Sequence, residues 1–138
     1  MSPKISKSLS LHRLEQAKED LAVAKLNYDN NYYKSANNRA YYAIFHSMRA
    51  VLAIEGIDFK KHKDVQAYFN KNYVNKEIFP RTLGRKIAIA SSIREDSDYD
   101  DEFVVNENKT LEQIQTAEEL IRLVEEYINL AQIQEMPY

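Results

Sequence analysis

The chain has 138 residues, 44% of them hydrophobic and 29% charged, which fits one domain around one buried core. It has no Cys, which excludes a disulfide framework, thiolate metal sites and a Cys nucleophile; its net charge of −2 speaks against nucleic-acid binding by bulk electrostatics. No apolar run approaches a membrane span and no apolar stretch follows Lys4 and Lys7, so a cytoplasmic setting is expected.

Only two Gly and three Pro punctuate this length. Few turns mean few, long elements, and the fold class expected is all-α: an up-and-down bundle of four long helices plus one shorter helix. Residues 1–9 read as a flexible tail, 10–131 as the helical domain and 132–138 as a frayed end.

Ser10 is a suitable N-cap for the first helix. Leu11, Leu14, Ala17, Leu21, Ala24 and Tyr28 then recur at three- and four-residue spacing, with Arg13, Glu15, Lys18, Glu19 and Lys25 off that stripe. A second helix is expected over about 32–55, apolar nearly all round, with Gly56 as its stop. A basic stretch leads into a third helix over about 63–73, with Val65, Tyr68, Phe69 and Tyr73 on its buried side. Pro80 opens a fourth helix that buries Leu83, Ile87, Ala90 and Ile93, although Gly84 weakens its first turn. Ser97 to Asp101 read as a polar loop. Thr110 and Gln113 have capping-box spacing, and Leu111, Ile114, Ala117, Ile121, Val124 and Ile128 form the stripe of the last helix.

The second helix holds the informative segment. Arg39 and His46 are seven positions apart, nearly two turns, so both project from one face, roughly 10 Å apart along the axis. Ser35, Tyr42, Ala43, Ala50 and Ala53 share that face, and Tyr41, Ile44, Met48, Val51 and Leu52 form the opposite, core face. Two readings fit. Arg39 is either an ion-paired surface charge beside a core-edge His46, or the two converge on one anion, Arg as a fixed positive fork and His as a proton carrier. The small residues would let another helix approach closely. If that helix came from a second copy, a two-fold axis would bring together two Arg and two His.

The block Arg39-Ala-Tyr-Tyr-Ala-Ile-Phe-His46 resembles the signature of the HEPN superfamily, an Arg followed by four to six residues and a His on the second long helix of a bundle. It is most similar to the small stand-alone branch of that superfamily. Lys61-His62 before Val65 and Phe69, and Arg94 through Tyr99, resemble two later segments of the same branch, so the match covers most of 11–130.

The resemblance implies a helical bundle that dimerises through the motif helix and acts as a metal-independent endoribonuclease, in toxin–antitoxin, defence or RNA-processing systems. It equally allows a module without activity that binds a nucleotide or a partner such as a nucleotidyltransferase. On the first reading His46 moves the proton and Arg39 stabilises the phosphate; the product carries a 2′,3′-cyclic phosphate, and no metal or other cofactor is expected. Tyr42, Arg49, Lys61 and His62 are the candidate contacts to RNA or nucleotide, Tyr42 by stacking. Interface packing for Tyr42 and a solvated loop for Lys60–Lys63 are the plainer alternatives, and a structural dimer without ligand is a third option for the whole chain. Two positions depart from patterns in the superfamily. Ala40 follows the Arg, where active members often carry a polar residue, and Met48 stands where another branch has a modifiable Tyr. The acidic run from Glu95 to Glu102 matches no calcium loop and reads as solvated.

Overall fold

The turn at Asn30 and Asn31 is the first place where the chain reverses. Asn31 takes a left-handed conformation with φ 66°, which Asn tolerates better than most residues. A computed structural model describes residues 3–100 and 104–135, with side-chain surroundings for 7–100 and 104–131. It contains α1 (Pro3–Asp29), α2 (Tyr33–Ile54), α3 (His62–Phe69), α4 (Arg81–Tyr99) and α5 (Glu107–Glu135). There is no strand among the described residues, and no helix among them is long and apolar enough to cross a membrane.

The second helix is the central element, in contact with the other four. Its core face is the expected one: Tyr41, Ile44, Met48, Val51 and Leu52 are all buried. It ends where Gly56 takes φ 73°, and the Gly56 and Ile57 amides donate to the Ala53 and Leu52 carbonyls, satisfying two terminal acceptors.

Several boundaries differ from those read in the sequence. The first helix starts at Pro3 rather than near Ser10, and Ser10 is buried mid-helix instead of capping; its hydroxyl donates to the Ala50 carbonyl at 2.6 Å. Leu11 is exposed, whereas Arg13 is buried. The fourth helix runs on through Tyr99, so Ser97 is a buried helical residue and not loop; the Arg94–Asp98 pair, 3.0 Å apart, spans that last turn. Asp101 lies outside the described residues. The last helix begins at Glu107 with Asn106 as its cap, since Asn106 Oδ1 accepts from the Lys109 amide at 2.8 Å. Thr110 instead donates to the Asn106 carbonyl. The expected stripe of Ile114, Ala117, Ile121, Val124 and Ile128 is buried, widened by Thr110, Gln113, Thr116 and Leu120, and only Leu111 of it lies at the surface. Helix continues to Glu135, into the segment from 132 on that was expected to fray; 1–2 and 136–138 lie outside the described residues.

The third helix passes into a single π-helical turn, Asn70–Val74, which swings Tyr73 and Val74 into the core. Gly84 of α4 crosses this turn. A Cβ there would lie 2.8 Å from Val74 Cγ1 and 3.1 Å from Asn70 Oδ1, so the close approach explains a glycine that propensity alone disfavours. Gly84→Val is expected to cost about 1–3 kcal/mol by overpacking, read as a lower denaturation midpoint with an unchanged slope. An unchanged midpoint would mean that the crossing relaxes freely.

Candidate functional site

The first helix carries a second stripe, Ser10, Arg13, Ala17, Asp20 and Ala24, at three- and four-residue spacing. This stripe, and not a purely apolar one, lies on the small-residue face of α2. Ala43, Ala50 and Ala53 are fully or almost fully buried beneath it. The helix that the alanines admit therefore belongs to the same chain.

The polar members of the stripe find partners on or beside α2. Arg13 donates to the Arg49 carbonyl and pairs with Asp58 at 3.2 Å. Asp20 reaches both residues of the motif: its Oδ1 lies 3.2 Å from Arg39 Nη1, and its Oδ2 lies 3.8 Å from His46 Nε2. Asp20 and His46 are largely buried, with side chains 14% and 18% exposed, while Arg39 is 54% exposed. The three line an open groove of about 310 Å³ together with Gln16, Glu19 and Tyr42.

Burial is the main influence on His46 and lowers its pKa below the ordinary 6.5. The Asp20 carboxylate opposes this; Arg49, Arg13 and His62 reinforce it. The imidazole is thus neutral at pH 7, a form able to accept a proton. Its Nδ1 is buried and has no hydrogen-bond partner among the described residues.

Arg39, Tyr42 and His46 therefore meet in one groove. The other three sequence candidates do not line it. Arg49 bonds Asp58 at 3.2 Å and places its guanidinium 5.5 Å from the Phe45 ring centroid. The Asp58 carboxyl is pushed up by burial, but Arg13 and Arg49 outweigh this and hold it below its usual value. Lys61 is exposed and precedes α3. His62 is half-buried; its Nδ1 lies 3.0 Å from the Tyr41 hydroxyl and its ring stacks on Phe45 at 3.9 Å. It still connects to the groove, since the Tyr42 ring lies 6.1 Å from His62 and 6.3 Å from His46, centroid to centroid. Arg94 covers the other side of this cluster, 5.1 Å from the Tyr41 centroid and 5.8 Å from that of Tyr42. Asp20 and Arg94 have no counterpart among the sequence candidates for direct chemistry.

Comparison with known proteins bears on this arrangement. The family model described as HEPN domain matches residues 10–127. The chain belongs to the HEPN family. It is 38% identical over 86 residues to a protein of Methanocaldococcus jannaschii named "Putative toxin", over 62% of this chain and 64% of that one. It is 33% identical over 113 residues to a UPF0332 protein of Thermotoga maritima, over 82% and 86% of the two chains. A second Methanocaldococcus jannaschii protein, likewise named "Putative toxin", is 30% identical over 87 residues, 63% of this chain and 59% of that one. The match thus spans less than two thirds of either archaeal relative.

Two features of this HEPN chain are explained by packing. Ala40, next to Arg39, is fully buried in a small cluster with Ala24 and Ile114, so a polar side chain there would enter the core and not the groove. Met48, two residues after His46, is likewise core, 1% exposed.

Proposed function

We propose that this HEPN chain is a metal-independent endoribonuclease that acts as a dimer, with Arg39 and His46 at the cleft. The observation that carries the reading is the convergence of Arg39, His46 and Tyr42 on one open groove with His46 held neutral. A neutral His46 Nε2 takes the proton of an RNA 2′-hydroxyl. The freed oxygen attacks the adjacent phosphorus, the bond from phosphorus to the 5′-oxygen breaks, and that oxygen takes a proton from water. Arg39 stabilises the charge that builds on the phosphate oxygens. Because the nucleophile is internal to RNA, the product is a 2′,3′-cyclic phosphate and a free 5′-hydroxyl. Tyr42 offers a ring face for a base at the edge of the groove. The toxin descriptions of two archaeal relatives support a role in toxin–antitoxin or defence systems.

The Arg39–Asp20 pair favours a second reading, a module that binds a nucleotide or a partner such as a nucleotidyltransferase without cleaving, because the Arg is already occupied. One experiment separates the two. The purified protein is incubated with a mixed, structured RNA pool in EDTA, beside a folded His46→Ala variant, and the fragment ends are analysed. Cyclic-phosphate ends from the wild type alone establish the ribonuclease; intact RNA in both lanes leaves the binding module.

A further inference from the structure

We propose that Asp20 is a positioning residue of this groove: it shares its charge between Arg39 and His46 in the resting protein, and passes wholly to His46 when an anionic phosphate draws Arg39 away. The inference deepens the reading above and rests on Arg39 and His46 being the working pair. No family motif named here includes Asp20.

The geometry gives the two sides of the carboxylate different roles. Asp20 is held in the packed stripe of α1 and is only 14% exposed, so it is the fixed point. Arg39 is 54% exposed on a long stem, and an exposed ion pair of this kind is weak enough for a phosphate to replace. His46 Nε2, at 3.8 Å, is too far from Oδ2 for a hydrogen bond, so its lone pair stays available for a proton. Once that proton arrives, the Nε2–H faces a carboxylate no longer shared with Arg39. Substrate binding and stabilisation of the imidazolium are thereby coupled through one side chain. The other charged or titratable groups facing His46 are Arg13 on α1, Arg49 on α2 and His62 at the start of α3, all of which oppose protonation; Glu19 and Tyr42 also line the groove.

The test is an NMR titration of the His46 ring in the full chain, as wild type, Asp20→Asn and Asp20→Glu. Removing one negative charge about 4 Å away is expected to lower the His46 midpoint by roughly one pH unit in Asp20→Asn, while Asp20→Glu stays within a few tenths. Inorganic phosphate, followed on the same resonance, is expected to bind several-fold more tightly to Asp20→Asn because Arg39 is released. A His46 midpoint that does not move in folded Asp20→Asn overturns the proposal, and unchanged phosphate affinity overturns the exchange of Arg39. If Asp20→Asn does not fold, Arg39→Gln tests the same carboxylate from the other side: the His46 midpoint should rise, and one that stays put counts against the coupling. Absence of RNA cleavage by the wild type, with the midpoint shifting as stated, would remove the ribonuclease reading and leave the hold of Asp20 on His46 in place.

Discussion

Replacing His46 with alanine is expected to lower RNA cleavage about 100- to 10,000-fold, the usual contribution of a positioned general base. The loss should fall on the chemical step, because Arg39 and Tyr42, the groups placed to hold phosphate and base, remain. Binding of a non-cleavable RNA by the variant should therefore stay within a few-fold of the wild type. The pH dependence follows from the burial of His46. Burial, reinforced by Arg49, Arg13 and His62, outweighs Asp20 and keeps the imidazole below its ordinary 6.5. A base works in its neutral form, so cleavage should be level through pH 7 and fall only at pH values below 6.5. Stability follows the same sign: below 6.5 the unfolded chain binds more protons at this position than the folded one, so the fold weakens as the pH drops. His62, lowered mainly by burial and then by Arg94 and Arg49, adds to that trend. Initial rates of cleavage from pH 5 to 8 check the first statement. A rate that rises steadily into acid would count against His46 as the base.

Phe69→Ala is expected to produce the largest loss of stability, about 3–5 kcal/mol, the usual cost of removing a buried aromatic side chain. Phe69 is 1% exposed, and its ring lies 5.5 Å from that of Tyr73 and 5.1 Å from that of Phe79. Tyr127 of α5 closes the cluster at 5.9 Å from Tyr73, so one truncation loosens α3, the π-helical turn and the last helix together. The same region is tied to the end of α2, because Glu55 accepts hydrogen bonds from both Tyr68 and Tyr73. Against a total stability of roughly 5–15 kcal/mol, the loss is large. For a domain of this size it should lower the midpoint of thermal unfolding by roughly 10–20 °C, followed by circular dichroism. A shift of less than about 3 °C would show that this cluster stands outside the cooperative unit.

What could be read from the sequence follows from local rules. Helix periodicity places α2 and its core face, Gly56 stops it, and Arg39 and His46 fall on one side, because 3.6 residues per turn is a property of the backbone and needs no partner. The family follows from the same segment, since its motif is written on one helix.

Tertiary structure decided which neighbour completes the groove. Ser10, Arg13 and Asp20 have the spacing of a buried stripe, but the apolar pattern puts Leu11 inward and Arg13 off the stripe, makes Ser10 a cap and does not single out Asp20. The outcome is reversed because Ser10 and Arg13 bond to the Ala50 and Arg49 carbonyls, and Arg13 and Asp20 pair with groups on or beside α2. A polar side chain is accepted at a helix contact when its partners are supplied there, and only the packing of α1 on α2 supplies them. Likewise His62 meets Tyr41 and Phe45 only because the loop after Gly56 returns to α2. The sequence by itself determined the elements, the motif and the family; the approach of α1 decided that a carboxylate stands between the Arg and the His.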